Sequence, residues 1–104
     1  MILEPLRLRG VTNSNRYEII DHAVNCINQS RGWVTNHAMY SDTIIVINFD
    51  IQIKGVINLI KLLNSNGLHL MKENVDSINN LENEILKNNL EDEIIGSIQI
   101  TFIK

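Results

Sequence analysis

The sequence predicts an α+β domain in which helices cover one face of a mainly antiparallel sheet. Residues 43–51 alternate as a strand does, because successive side chains point to opposite faces. One face is wholly apolar and the other is apolar only in its first half, which is typical of a central strand. Apolar residues recur at helical spacing in 16–30 and 53–63, on either side of this strand. The residues of the apolar face are Ile45, Ile47, Phe49 and Ile51.

Length and composition favour a single domain over residues 1–104. The chain is 44% hydrophobic and 20% charged, which excludes disorder as its main state. One cysteine allows no internal disulfide, so we expect a reducing, cytoplasmic setting. No apolar run approaches the ~20 residues of a membrane-spanning helix, and no membrane partner is expected. The net charge of −3 argues against nucleic-acid binding, whose affinity comes largely from neutralising phosphates.

The first strand is predicted over residues 3–11. Leu6 and Leu8 alternate with Arg7 and Arg9, as in a strand that is buried on one face only. The arginines should therefore share the face that the helices leave open.

The first helix is predicted over residues 16–30. Asn15 is placed to cap it, with Glu18 at the third helical position, as in a capping box. Gly32 is expected to end it in the left-handed conformation. The predicted buried stripe consists of Ile20, Ala23, Val24 and Ile27.

A hairpin should follow, formed by residues 33–40 and the central strand, with a polar break at Ser41 and Asp42. The alternation in 33–40 is poor. Strict alternation would set Trp33, Thr35, His37 and Met39 on one face.

The second helix is predicted over 53–63, with a stop and turn in 64–67. Leu59 and Leu62 widen its apolar arc, which would suit contact with a second subunit.

The rest of the chain predicts a short strand over 68–72, a third helix and a closing strand over 94–103. The third helix rests on the helical spacing of apolar residues from Val75 to Leu86. In the closing strand, Ile98, Ile100 and Phe102 alternate with polar residues.

The first six elements resemble the split β-α-β sandwich of ferredoxin-like folds (βαββαβ), with an extra C-terminal helix and strand. The resemblance implies that the first and central strands are neighbours. The extra strand would then add an edge to the sheet or reach a partner. In a second register, the closing strand is the fourth core strand and residues 68–93 form a helical insertion.

The junction between the first strand and first helix is the candidate ligand site. Free backbone N–H groups and the positive end of a helix dipole attract carboxylates and phosphates. In sensor domains of the ACT type, which have a similar fold, the corresponding loop contacts amino-acid ligands. The candidate residues are Arg7, Arg9, Thr12, Asn13, Ser14, Asn15 and His37.

Other chemistry has weaker support. Glu18, His22 and Cys26 share one helical row, but their segment offers no oxyanion donors, and no catalytic residue is assigned. The histidines lie on separate elements, so no metal site is predicted. No phosphate-binding or dinucleotide-binding glycine pattern occurs, and no cofactor is expected.

These observations favour a non-enzymatic α+β domain that forms a homodimer or a larger assembly and binds a small anionic metabolite, as sensor or regulatory domains do. The alternative is a cofactor-free dimeric enzyme of the oxygenase or isomerase kind. That enzyme would use His37 or Tyr40 in a cleft between helices and sheet.

Overall fold

The computed structural model describes residues 5–76 and 91–103, which form a mixed α+β fold. The other predicted elements are present, and of the predicted third helix only Val75 and Asp76 are described, within a short helix, while its residues 77–86 lie outside the described residues. A single 3-10 turn, Ile53–Gly55, leads into the second helix. In chain order the elements are β1 (Leu6–Thr12), α1 (Arg16–Gln29), β2 (Gly32–Ser41), β3 (Ile44–Gln52), α2 (Val56–Leu63), β4 (Leu68–Leu70), α3 (Lys72–Asp76) and β5 (Glu93–Phe102).

The five strands form one sheet in the order β2-β3-β5-β1-β4. β5 is antiparallel to β3 and parallel to β1, while β4 is antiparallel to β1 at one edge. β2 and β3 form the predicted hairpin, with Ser41 paired to Ile44 across the turn. The sheet is therefore mainly antiparallel, with one parallel pair at its centre.

The expected pairing of β1 with β3 is wrong, because β5 lies between them. Ile98 and Ile100 of β5 are fully buried on the helix-covered face, beside Ile47 and Ile45 of β3. The closing strand therefore does not extend an edge of the sheet. The second register is also wrong, since Leu68–Leu70 is itself a strand at the edge beside β1.

One hydrophobic core fills the space between the helices and one face of the sheet. The predicted face of β3, from Ile45 to Ile51, is at most 1% exposed. Burying each such side chain contributes about 1.5–3 kcal/mol to stability. From the helices, the core takes Ile19, Ala23, Cys26, Ile27, Val56, Leu59, Ile60 and Leu63.

The buried stripe of α1 is rotated from the predicted one. Ile19 and Cys26 are buried, whereas Ile20 and Val24 are only half-buried. α1 packs against α2 as well as the sheet, so its buried arc turns toward that helix. On α2, Leu59 is fully buried and Leu62 partly packs on the core, so the wide apolar arc is used inside the chain.

The chain leaves α1 differently from the prediction. Arg31, not Gly32, adopts the left-handed conformation, with φ 70°. Gly32 begins β2, where a Cβ would lie 2.8 Å from the carbonyl oxygen of Asp50. A glycine is therefore needed here for the close approach of the Asp50 backbone and not to end the helix.

A β-bulge explains the poor alternation of β2. Val34 pairs with Phe49 and Asn36 with Asn48, so Thr35 is the extra residue. The bulge exchanges the two faces of the strand beyond it. His37 and Met39 therefore share the helix-covered face, and Trp33 lies on the open face.

Candidate functional site

The open face of the sheet carries polar side chains in rows that cross the strands. The register aligns Arg7 with Ser97, and Ser97 with Asn48. It likewise aligns Arg9 with Gln99. Because aligned residues share a face, both predicted arginines stand beside hydrogen-bonding groups of β5.

A cleft of about 410 Å³ opens on this face around β1. That volume lies within the usual range of sites for small molecules, roughly 300–1,000 Å³. Arg7 and Arg9 are about 7 Å apart along the strand, which is two residue rises. Within residues 5–76 and 91–103, neither guanidinium forms an ion pair. The cleft is lined by Arg7, Arg9, Val46, Glu73, Ser97 and Gln99, together with Asn74.

Asn74 of α3 fixes one wall of the cleft. Its Oδ1 accepts a hydrogen bond from the Arg9 backbone N–H at 2.9 Å, and its Nδ2 donates to the Arg7 carbonyl at 3.3 Å. The Met71 N–H also donates to the Arg9 carbonyl. These bonds complete the outer side of β1 beyond β4 and place Glu73 beside the arginines.

The residues Thr12 to Asn15 lie at the carboxyl end of β1, and the chain itself uses several of their groups. The Thr12 hydroxyl donates to the Gly67 carbonyl at 2.7 Å and accepts from the Ser14 N–H. Asn15 Oδ1 accepts from the N–H groups of Tyr17 and Glu18, as predicted for the cap of α1. Anion binding at this loop remains a prediction, and Asn13 and Asn15 are its exposed members.

His37 is not brought to the cleft. β3 and β5 separate its strand from β1, a distance of about 14 Å for three strand spacings. It pairs with Ile47 and so faces the helix side, where it is exposed. The sequence candidates thus occupy three places: the open face, the β1–α1 loop and the edge strand.

The row Glu18, His22 and Cys26 passes from the surface into the protein, because Glu18 is exposed, His22 is half-buried and Cys26 is buried. His22 Nε2 lies 3.2 Å from the Leu63 carbonyl, which can only accept, so Nε2 carries the proton. Nδ1 then accepts from Asn66 at 3.3 Å and lies 3.6 Å from Cys26 Sγ. Burial raises the pKa of the Cys26 thiol, which favours its protonated, unreactive form.

We expect Cys26 to react with a thiol reagent roughly ten times more slowly in the folded chain than in denaturant. Its side chain is 5% exposed, and the raised pKa lowers the thiolate fraction at neutral pH. The rate should rise as the pH is raised. Release of thionitrobenzoate measures it, and labelling as fast as that of free cysteine would contradict this assignment.

Sequence reasoning missed six lining residues: Leu8, Val46, Glu73, Asn74, Ser97 and Gln99. The alternation of β5 does mark Ser97 and Gln99 as facing away from the core. Their place beside Arg7 and Arg9 depends on the parallel pairing of β5 with β1, for which the sequence has no local signal.

Among the described residues, no group of three or more histidine, cysteine, aspartate or glutamate side chains is placed to hold a metal ion. No helix in that part of the chain is long and apolar enough to cross a membrane. Comparison of the chain with protein-family models, with curated proteins and with solved structures gives no match.

Proposed function

We propose that this protein is a binding domain of the sensor or regulatory kind that takes a small anionic metabolite on the open face of its sheet. The observation that carries the proposal is the pair of guanidinium groups in the cleft, Arg7 and Arg9, without ion-pair partners in the described part of the chain. Arginine presents a planar fork of donors that matches a carboxylate or phosphate.

The neighbouring groups suit the rest of such a ligand. Ser97 and Gln99 stand opposite the arginines and offer both donors and acceptors. Val46 adds an apolar wall on the next strand. Glu73 is the only acidic residue among the described residues that line the cleft, and its charge opposes an anion.

The enzymatic alternative has less support. It requires a cleft between helices and sheet, yet side chains from both layers pack there in one buried cluster. His37 faces the helix side of β2 but is exposed there, and Tyr40 is exposed as well. We therefore favour binding on the opposite face.

A thermal-shift screen against amino acids, nucleotides and organic acids tests the proposal. A ligand held only by the folded state at 100 times its Kd adds about 2.7 kcal/mol to stability. For a domain of this size that corresponds to a Tm increase of roughly 10 °C or more. A screen in which no anion raises the Tm would overturn the proposal.

For an anion found in this way, Arg7→Gln and Arg9→Gln should each weaken binding roughly 10- to 100-fold, because each removes a charge-assisted hydrogen bond. Isothermal titration calorimetry gives the Kd. Lys61→Gln is the matched control, since it removes the same charge from an exposed position on α2.

Glu73→Gln should act in the opposite direction and tighten binding a few-fold, because it removes a repelling charge. Equal losses for Lys61→Gln and the arginine variants would show that the anion responds to net charge and not to this cleft.

A further inference from the structure

The strand β2 leaves one edge of the sheet open. In the part of the chain that the structure describes, its ten residues pair only with β3. The other edge is closed differently: β4 has three residues, and Asn74 bonds the rest of β1. Because an unpaired row of N–H and C=O groups is a template for another strand, a long open edge is normally blunted. β2 instead leaves the backbone groups of this edge open to pairing with another strand along most of its length.

The charges on and around β2 fit a second copy of the same strand. Gly32–Ser41 contains no Lys, Arg, Asp or Glu, whereas Arg31 precedes it and Asp42 follows it. If two copies pair antiparallel about a two-fold axis near His37, Arg31 of each lies close to Asp42 of the other. Parallel pairing would set like charges together. The ends of the strand therefore select antiparallel self-pairing over parallel.

The exposed side chains of β2 are those that such pairing would cover. Trp33 is 43% exposed, Met39 42% and Tyr40 71%. Trp33 lies on the open face and Met39 on the helix-covered face, so apolar groups flank the edge on both sides. The two register shifts leave residues 36–39 as a regular run at the middle of the strand, where the two-fold axis would pass.

We propose that β2 is a self-association edge, which pairs antiparallel with β2 of a second copy to form one continuous ten-stranded sheet. A two-fold axis perpendicular to the sheet keeps both open faces on the same side. Both anion clefts then open on one surface, although the pairing itself does not depend on anion binding. The sequence suggested a dimer through the closing strand and Leu59. Both are instead buried within the single chain, and the proposed dimer contact is made by β2.

Light scattering on a size-exclusion column tests the assembly. The dimer has twice the 11.9 kDa mass of the chain. Ala38→Lys should yield the monomer, with dimer affinity reduced roughly 100-fold or more, because it sets two lysines on the same face, diagonally across the pair on either side of the axis. Asn25→Lys adds the same charge at an exposed site on α1 and should leave the dimer intact. Circular dichroism checks that each variant is folded.

A charge exchange tests the geometry. Arg31→Glu and Asp42→Arg should each weaken the dimer about tenfold, since each replaces two attractive contacts with repulsive ones. The double variant should regain affinity. A wild-type chain that stays monomeric at 200 µM, about the concentration at which a weak edge pair would form, overturns the proposal. So does a dimer that resists Ala38→Lys, or a double variant no tighter than the single ones.

Discussion

The Gly55→Ala variant is expected to lose about 3 kcal/mol or more of its free energy of unfolding. Gly55 has φ −93° and ψ −9°, a right-handed helical conformation that alanine adopts readily. At such a position this substitution usually stabilises a protein by roughly 0.4–1 kcal/mol, because alanine restricts the unfolded chain. In this protein, the packing around Gly55 makes the substitution destabilising and not stabilising. An added Cβ would overlap the Ser30 carbonyl oxygen and lie 2.8 Å from the carbonyl carbon.

Ser30 has little room to move away. It is 1% exposed, its N–H bonds the Ile27 carbonyl, and its hydroxyl accepts from Asn58 Nδ2 at 3.0 Å. The methyl group must therefore separate the end of α1 from the start of α2. Urea denaturation measures the loss. Lys61→Ala, an exposed substitution on the same helix, should change stability by less than about 0.5 kcal/mol. A Gly55→Ala protein as stable as the parent would show that the two helices are not in this contact.

The parts of the fold that the sequence predicts well are those set by neighbouring residues. The apolar face of β3 follows from strict alternation, and the start of α1 from the capping side chain of Asn15. The turn before β4 follows from Asn66 and Gly67, which both have positive φ. Each of these signals lies within a few residues of the feature that it specifies.

The order of the strands depends on contacts between distant segments, and there the prediction failed. β5 alternates between apolar and polar residues, as does any strand that is buried on one face. This pattern is compatible with an edge position in the sheet and with a central one. The position of β5 beside β3 depends on side-chain packing, because the Phe49 ring occupies the space left by the missing side chain of Gly96. A pair of residues so far apart in the chain cannot be matched from periodicity alone.

The candidate site shows the same division. The alternation of β1 is sufficient to place Arg7 and Arg9 on one face. The parallel pairing of β1 with β5 is what places Ser97 and Gln99 beside these arginines. Glu73 and Asn74 arrive through α3, a short helix with no periodic signal of its own. Sequence reasoning therefore identified the charges of the cleft but not its walls.

The Phe49→Ala variant should lose about 3–5 kcal/mol of stability, the usual cost of removing a buried phenyl ring. Phe49 is fully buried near the centre of the sheet, between the helices and β5. Folded domains of this size are stable by only about 5–15 kcal/mol, so the loss is a large fraction of the total. Urea denaturation measures it, and Phe49→Leu, which should cost less than about 1.5 kcal/mol, keeps the position measurable if the alanine variant is partly unfolded.

Gly96 provides the test of the mechanism. A Cβ there would lie 2.5 Å from Cζ of Phe49, so Gly96→Ala should cost about 1–3 kcal/mol in the parent. In the Phe49→Ala background the same methyl group enters the space that the ring has left. Its cost should then fall to near zero or become a gain. A double-mutant cycle isolates this coupling, which contacting residues show at roughly 0.5–3 kcal/mol. Equal costs in the two backgrounds would mean that the ring does not lie over Gly96, and the central position of β5 would lose its explanation.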